Sequence, residues 1–322
     1  MSGIAAVVIG RNEGARLDAC LASIPAGVAP VIYVVSGSTD GSQERARAAG
    51  AQVVALDLSQ PFTAARARNA GVAALTRAGA TPEFLQFIDG DCSLAPGWIE
   101  TAAAFLRGHP QAAVACGRRR ERFPEASVYN RLADREWDTP LGRTRACGGD
   151  ALMRAAAFAA VGGFNPALIA GEEPELCVRL RAAGWEVWRL DAEMTLHDAA
   201  MTRFAQWWQR TRRGGHAAAE GMAMHGAPPE RHGVRRVQSA LAWGAALPAV
   251  ALLGSLATPW VLALLLAYPL QVTRLALRGG GTRTAWERAT FLVLGKLPEA
   301  QGVLGYHLSR LRGGERGLIE YK

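Results

Sequence analysis

Two aspartates separated by a single glycine have the type and spacing of metal ligands. Asp89 and Asp91 lie in the stretch LQFIDGDCSL, directly after a run of apolar residues that predicts a buried strand. Carboxylate oxygens placed in this way can bind a divalent cation, and the cation can bridge a diphosphate. Asp and Gly are also ordinary turn residues, so a plain turn with a helix cap is the alternative.

Two glutamates and one histidine are the next candidates. Glu172 and Glu173 begin a predicted helix, where a carboxylate could deprotonate a hydroxyl as a general base or simply complement the helix dipole. His197 follows a predicted strand and is a candidate metal ligand, although a single His is more often a surface or satisfied core residue. Spacing alone does not choose between these alternatives.

A basic helix is predicted over residues 204–221. It carries Trp207, Arg210, Arg212 and Arg213. The guanidinium groups could hold a phosphate, or they could form a solvated basic face. We take Trp207, Arg210 and Arg213 as candidate substrate-binding residues.

The elements that would position these residues alternate between strand and helix. Apolar runs predict four buried strands near the N-terminus: Ile4–Gly10, Val31–Val35, 52–56 and 83–89. Helices are predicted between them. This alternation predicts an α/β fold with a doubly wound, mixed and mostly parallel sheet flanked by helices. Ligands bind at the carboxyl edge of such sheets, where the polar turns after these strands lie.

The middle of the chain has a less regular pattern. Residues 118–146 are polar, and we predict an irregular segment there. A strand and a helix are predicted within 148–164, a helix over 171–184, and a strand that leads to His197.

Composition excludes several classes of protein. The chain has 322 residues, is half hydrophobic and carries a formal charge of +8. The five cysteines include no Cys-x-x-Cys pair, which argues against a zinc ribbon or a disulfide scaffold and fits a reducing compartment. Arg11 and Glu13 interrupt the apolar N-terminal run, so we predict a buried strand there rather than a signal peptide.

A segment without any charged residue, 237–273, predicts membrane association. We expect two helices, 237–256 and 260–277, that form a spanning hairpin with a break at 257–259. Arg residues flank both outer ends, so both ends should be cytoplasmic. The alternative is a hydrophobic pair that lies in the membrane interface or is buried against the rest of the chain or a dimer partner, so a homodimer stays open.

The last part of the chain is amphipathic. Residues 284–312 are predicted to form a helix that lies on an anionic membrane surface. The expected domains are therefore a catalytic domain over 1–225 and a membrane-associated helical region over 226–322. Arg clusters beside a membrane account for the positive charge, and we expect no nucleic-acid partner.

Seven segments, in this order, resemble the family 2 inverting glycosyltransferases of the GT-A fold, of the membrane-associated bacterial type. They are VVIGRNEG, VVSGSTDGS, ARARNAG, FIDGDC, GGDALMRAAAFAAVGGF, GEEPELCVRL and LHDAAM, and the resemblance covers roughly residues 3–225. The resemblance implies a domain that binds a nucleotide sugar.

The resemblance also implies roles for the acidic candidates. Asp89 and Asp91 match the family's Asp-x-Asp, which binds Mn²⁺ or Mg²⁺ and the diphosphate of a nucleotide sugar. Glu173 matches the general base, and Glu172 matches the acidic residue before it. His197 matches a histidine that often completes the metal site.

Other positions match the family around the nucleotide. They are Asn12, Glu13, Asp40 and Arg68, and Ser36 in the second segment is taken as substrate-binding with them. Val35 stands where the family usually has an Asp in the base-recognition pocket, which leaves the identity of the base open.

The implied function is metal-dependent, inverting transfer of one sugar from a nucleotide-diphosphate sugar to an acceptor hydroxyl. The segment QWWQRTRR lacks the Gln-x-x-Arg-Trp order of processive synthases, which favours single-sugar transfer. A base at Glu173 is one methylene longer than the family's Asp. The expected acceptor is a lipid-linked or cell-surface glycan at the cytoplasmic face of the bacterial inner membrane.

Two alternatives belong to other functional classes. A degenerate glycosyltransferase-like membrane scaffold is favoured only by the departure at Val35. A nucleotidyltransferase would need a Gly-rich, Lys-containing phosphate loop, which VVIGRNEG lacks.

Overall fold

The computed structural model describes residues 3–313 of the chain. The chain divides into two compact units, Met1–Ala200 and Met201–Lys322. This boundary precedes the helix that begins at Phe204, whereas the composition of the sequence predicts a boundary after residue 225. Residues 1 and 2 of the predicted catalytic domain and 314–322 of the predicted membrane-associated region lie outside the described residues.

A mixed sheet forms the framework of the first unit. Its strands are β1 (Ile4–Gly10), β2 (Val31–Val35), β3 (Gln52–Ala55), β4 (Phe84–Asp89), β5 (Cys92–Leu94), β6 (Ala112–Glu121), β7 (Gly142–Arg143), β8 (Ala151–Arg154) and β9 (Glu186–His197). They lie in the order β3-β2-β1-β4-β8-β6-β9-β5, and β7 pairs with β9.

Helices connect these strands and flank the sheet. They are α1 (Ala15–Ala22), α2 (Ser42–Ala48), α3 (Ala64–Arg77), α4 (Trp98–Gly108), α5 (Val128–Glu136), α6 (Ala155–Ala160) and α7 (Glu172–Ala182). The prediction of a mixed α/β sheet flanked by helices is confirmed.

The parallel strands align the loops that the sequence singled out. β1 pairs in parallel with both β2 and β4, with Gly10 opposite Val35 and Ile9 opposite Asp89. All seven residues of β1 are buried, which explains its uninterrupted apolar sequence. The three strands therefore end at the same edge, and the polar turns after them are neighbours.

Antiparallel and parallel partners of the later strands bring more polar residues to this edge. β8 runs antiparallel to β4, with Phe87 opposite Ala151. β5 pairs antiparallel with β9, and Cys92 lies opposite His197. β6 runs parallel to β9, and Glu121 lies opposite the same histidine. Residues that are distant in sequence thus converge through strand register.

An aromatic cluster packs under the sheet. The rings of Phe87, Phe158 and Phe164 form a triangle with 5.3 Å between each pair of centroids. Helix α3 approaches β1 very closely at Gly71, where a Cβ atom would lie only 2.4 Å from Val7 Cγ1. This close approach fixes the helix that carries Arg68 against the central strand.

The prediction of an irregular segment over 118–146 is wrong for much of its length. β6 continues to Glu121, a 3₁₀ turn follows at Pro124–Ala126, and α5 occupies Val128–Glu136. The run of arginines at the end of β6 hides the strand pattern. Arg118 is nonetheless buried, because its guanidinium pairs with Asp134 of α5 at 3.0 Å.

The second unit is helical. Its α-helices are α8 (Phe204–His225), α9 (Val234–Leu241), α10 (Leu247–Gly254), α11 (Ala267–Arg278), α12 (Arg283–Leu294) and α13 (Lys296–Leu311). A π-helical turn at Ala242–Ala246 joins α9 to α10, and a 3₁₀ segment at Pro259–Leu266 leads into α11. A small core of α8, α9 and α13 consists of Ala218, Ala219, Val237, Ala240, Val303 and Tyr306.

Two helical stretches in this unit are long and apolar enough to cross a membrane. Val234–Gly254 has 21 residues and Pro259–Arg278 has 20, each with a mean hydropathy of 1.5. Only 17% of the first and 6% of the second is buried. They coincide closely with the predicted hairpin helices. Leu256, between them, and Trp260, at the start of the second, are more than four-fifths exposed.

The C-terminal segment 284–312 differs from its prediction as one helix on a membrane surface. It is broken at Gly295 into α12 and α13. Helix α13 packs against α8 so closely that a Cβ at Gly302 would lie 2.0 Å from the carbonyl oxygen of Arg212. One face of α13 therefore belongs to the core of the unit.

Candidate active site

A buried carboxylate–histidine–carboxylate row lies at the edge where β5, β6 and β9 meet. His197 Nε2 is 3.4 Å from Asp91 Oδ2, and His197 Nδ1 is 3.2 Å from Glu121 Oε2. All three residues are less than 10% exposed. A histidine that ligates a metal through one ring nitrogen commonly donates a hydrogen bond from the other to a carboxylate, which is the arrangement here.

The protonation state of His197 suits a ligand. Burial and the nearby Arg119 lower its pKa, so the imidazole is neutral near pH 7. Because Glu121 accepts a hydrogen bond at Nδ1, the lone pair of the other ring nitrogen faces Asp91. Cys92 also lies within reach of the pair, but burial raises the pKa of its thiol well above the ordinary value. The donor set therefore fits Mn²⁺ or Mg²⁺ through Asp91 and His197.

Glu121 was not among the candidates from the sequence. Its Oε2 accepts hydrogen bonds from both His197 and the backbone nitrogen of Ala199. Its Oε1 accepts one from the backbone nitrogen of Phe123. The carboxylate thus positions the histidine and the segment after β9 together.

Asp89 belongs to a second network, which is built around Arg68. The guanidinium of Arg68 donates to Asp89 Oδ1 at 2.8 Å and to Glu172 Oε1 at 2.7 Å. Arg68 is 2% exposed. Burial alone would lower its pKa, but Asp89 and Glu172 outweigh that effect and raise it, so the side chain stays charged. The other oxygen of Asp89 lies 3.5 Å from Arg119.

Asp150 is a further buried acid that the sequence did not single out. Its carboxylate accepts hydrogen bonds from the backbone nitrogen of Asp89 at 2.9 Å and from the Thr195 hydroxyl at 3.0 Å. It also lies 3.6 Å from Arg119 Nε. Gly149 precedes it, and a Cβ there would be 2.8 Å from Arg68 Nη2. The glycine lets the loop approach the Asp89–Arg68 pair.

Arg119 and Trp137 complete the wall beside the histidine. The guanidinium of Arg119 lies 4.8 Å from the ring centroid of Trp137. The rings of Trp137 and His197 meet in a T-shaped contact, with 4.8 Å between their centroids. Both residues fall in the segment that was predicted to be irregular.

The candidate nucleotide-binding residues join the loops after β1 and β2. The backbone nitrogen of Asn12 donates to the Ser38 hydroxyl, and Asn12 Oδ1 accepts from the backbone nitrogen of Thr39. Asp40 accepts from Gly14 and from Ser42. Burial tends to raise the pKa of Asp40, but these hydrogen bonds outweigh it and lower the pKa.

Two other candidates, and Val35, lie around this edge with different exposure. Glu13 pairs with Arg16 at 2.9 Å, and its Cγ lies 3.2 Å from the position of a Cβ on Gly90, so it contacts the turn between the two aspartates. Ser36 is 4% exposed, and Val35 is fully buried in β2.

Glu173 has different partners from its neighbour Glu172. Its Oε1 accepts hydrogen bonds from the backbone nitrogen of Cys147 and from the Cys177 thiol. Its side chain is largely buried at the first turn of α7. The loop from Cys147 to Asp150 therefore connects the environment of Glu173 to that of Asp89.

A comparison with protein families concerns the first unit. Residues 6–161 match the family described as Glycosyl transferase family 2. The matched residues all lie within the first unit, which is therefore similar to this family. The resemblance inferred from the sequence motifs is confirmed.

Two similar proteins illustrate the range of this family and fold. The succinoglycan biosynthesis protein ExoA of Rhizobium meliloti (strain 1021) is 27% identical over 214 residues, which are 62% of this chain and 64% of that protein. The chain thus spans less than two thirds of the length of this curated relative. The solved structure of the mannosyltransferase PcManGT from Pyrobaculum calidifontis, in complex with GDP-Man and Mn²⁺, superposes with a TM-score of 0.63. It is 18% identical and covers 95% of this chain and 87% of that chain, which shows a shared fold.

The remaining candidates lie in the second unit. Trp207, Arg210 and Arg213 are part of α8. The ring of Trp207 packs in an aromatic group with Phe204 and Phe291 of the same unit, at centroid distances of 5.4 and 5.0 Å. These contacts give Trp207 a packing role in the helical unit.

Substitution of Arg68 by Met should destabilise the first unit strongly. The change leaves Asp89 and Glu172 without their shared guanidinium, and loss of one partner of a buried ion pair typically costs about 3–5 kcal/mol. The free energy of unfolding from urea denaturation measures the effect. Arg45→Met is the matched control, because Arg45 pairs with Asp18 at an exposed position, where such pairs contribute about 1 kcal/mol or less. Equal losses in the two variants would contradict the role of Arg68.

Proposed function

We propose that the chain transfers one sugar from a nucleotide-diphosphate sugar to an acceptor hydroxyl in a metal-dependent reaction that inverts the anomeric centre. The observation that carries this proposal is the Asp91–His197–Glu121 row beside the Asp89–Arg68 pair, at the shared carboxyl edge of β1, β2 and β4. Carboxylate and imidazole ligand atoms lie there beside an arginine guanidinium, as a divalent cation bound to a diphosphate requires.

Asp91 and His197 are the proposed metal ligands. The mannosyltransferase of similar fold is described in complex with GDP-Man and Mn²⁺, which supports Mn²⁺ or Mg²⁺ as the ion. The cation would neutralise charge that develops on the leaving diphosphate. Glu121 holds the imidazole in the orientation that ligation needs.

Asp89 and the loop residues are the proposed donor site. Asp89 is held by Arg68 and faces Arg119, so its carboxylate is oriented to accept hydrogen bonds from hydroxyls of the ribose or the sugar. Asn12, Glu13, Ser36 and Asp40 shape the loops that would surround the nucleoside. Val35 is buried in β2. We therefore propose that these loops, rather than Val35, recognise the base of the nucleotide.

Glu173 is the proposed general base. It would accept the proton of the acceptor hydroxyl as that oxygen attacks the anomeric carbon from the face opposite the diphosphate, so that a single displacement inverts the centre. The hydrogen bond from the Cys147 backbone holds the carboxylate in a fixed direction. Glu172 is engaged by Arg68, so its proposed role is to position that arginine.

The acceptor is proposed to be a growing glycan or a lipid-linked sugar at the cytoplasmic face of the inner membrane. The relative ExoA is named for succinoglycan biosynthesis, which supports a polysaccharide product. The exposed apolar helices Val234–Gly254 and Pro259–Arg278 support attachment through a spanning hairpin. Arg210 and Arg213 of α8 are proposed to serve the acceptor or the diphosphate.

Glu173→Gln should lower the rate of sugar transfer by about 10²–10⁴-fold, the usual contribution of a general base. Binding of the nucleotide sugar with Mn²⁺ should stay close to wild type, because the amide keeps the volume of the side chain. Single-turnover transfer and calorimetric titration of the donor measure the two quantities. Glu172→Gln is the comparison. The assignment of Glu173 as the base fails if Glu173→Gln transfers sugar at the normal rate. The role moves to Glu172 if only Glu172→Gln loses turnover while donor binding stays intact.

Leu256→Cys in intact bacterial cells should react with a membrane-impermeant maleimide, because the spanning hairpin puts the turn between its helices on the periplasmic side. The described native cysteines are all buried, so background labelling should be low. Leu308→Cys on α13 is the control, since it is about half exposed and should react only after the membrane is permeabilised. Protection of residue 256 in intact cells, or release of the chain by alkaline carbonate, would contradict the spanning hairpin.

A further inference from the structure

A second group of potential metal ligands includes the proposed base, Glu173, and is separate from the Asp91–His197 pair. Cys147 Sγ is 3.7 Å from Cys177 Sγ, and Cys177 Sγ is 3.3 Å from Glu173 Oε1. The ligand atoms of the three residues lie within 4.8 Å of one another, and all three side chains are buried. Two elements supply them: α7 carries Glu173 and, one turn later, Cys177, and the loop before β8 carries Cys147.

These distances match the edges of a tetrahedral zinc site. With Zn–S bonds of about 2.3 Å and Zn–O bonds of about 2.1 Å, a tetrahedron has an S···S edge of about 3.8 Å and an S···O edge of about 3.6 Å. The observed separations differ from these values by a few tenths of an ångström. The two printed ligand separations are therefore already close to those of a tetrahedral site.

The ligand atoms of this second group favour a different ion from the one that suits the Asp91–His197 pair. Thiolates prefer Zn²⁺ and similar soft cations, whereas Mn²⁺ and Mg²⁺ prefer oxygen. The hydrogen bond to Cys177 and burial raise the pKa of Cys147, so its thiol is protonated in the absence of a metal. The Cys177 thiol also carries a proton, which it donates to Glu173 Oε1. Zn²⁺ would displace both thiol protons into the solvent, as it does in other thiolate sites. No oxidant or reductant is needed.

We propose that Cys147, Glu173 and Cys177 form an inhibitory binding site for Zn²⁺. An ion held there takes the Glu173 carboxylate as a ligand and withdraws it from the acceptor hydroxyl. The inhibitory part rests on the proposed function of Glu173 as the base, while the binding site itself stands on the geometry of the three side chains.

Binding is tested on the full chain, freed of metal and kept reduced with a phosphine. Cd²⁺ is the spectroscopic probe, since its thiolate complexes absorb in the ultraviolet, and competition with Zn²⁺ gives the zinc affinity. Cys147→Ser and Cys177→Ser should each weaken binding by more than about 100-fold, above the usual effect of losing an outer-shell partner. Circular dichroism checks that each variant is folded.

Two buried thiols provide matched controls. Cys116 lies outside the three-residue group and donates to the carbonyl oxygen of Trp188, so Cys116→Ser should keep the thiolate absorbance. Cys92→Ser should also keep it, because Cys92 belongs to the Asp91–His197 neighbourhood. Absence of thiolate absorbance in the wild type, its loss in Cys92→Ser, or its persistence in both Cys147→Ser and Cys177→Ser would overturn the site.

Inhibition is tested separately, with saturating Mn²⁺ and donor. Zn²⁺ should suppress transfer by the wild type and should have at least tenfold less effect on Cys147→Ser, with each rate expressed relative to that variant without zinc. If zinc binds and the wild-type rate is unchanged, the inhibitory role is wrong. If no variant transfers sugar with any donor, the proposed function fails, while the absorbance results still decide the binding site.

Discussion

Burial of several carboxylates at one sheet edge is the constraint on which the rest of the site depends. Asp89, Asp91, Asp150, Glu121 and Glu172 converge there, and an ionised carboxylate is costly to bury without a compensating charge or hydrogen bonds. The fold supplies that compensation by position. Arg68 pairs with Asp89 and Glu172, and Arg119 lies near Asp89 and Asp150. Backbone N–H groups supply the rest, because the amide of Ala199 donates to Glu121 and the amide of Asp89 donates to Asp150.

This arrangement separates two functions within one acidic edge. The arginines hold Asp89 and Glu172, while Asp91 faces a neutral histidine that Glu121 keeps in place. A divalent cation next to Asp91 would add positive charge where the imidazole adds none. The guanidinium groups of Arg68 and Arg119 would remain beside Asp89. The division follows from the elements that carry the residues, because α3, α7 and the end of β4 supply Arg68, Glu172 and Asp89, whereas the ends of β6 and β9 supply Glu121 and His197.

Much of this site could be predicted from local sequence, and the missing parts have a common cause. The strands from Ile4 to Asp89 have continuous apolar runs, and the turns after them have distinctive polar residues, so Asp89, Asp91 and Asn12 could be found. Glu121 and Asp150 could not, because their importance arises from the pairing of β6 with β9 and of β8 with β4. Such long-range register leaves no periodic signal. The break at Gly295 was missed for a similar reason, since α13 is defined by its packing on α8.

Anomalous diffraction from crystals grown with Mn²⁺ and a nucleoside diphosphate tests the central claim most directly. The account predicts a manganese peak at about 2 Å from a carboxylate oxygen of Asp91 and from Nε2 of His197, with Asp89 still bound to Arg68. A peak that contacts Asp89 but neither Asp91 nor His197 would contradict it, as would a diphosphate bound at this edge with no manganese.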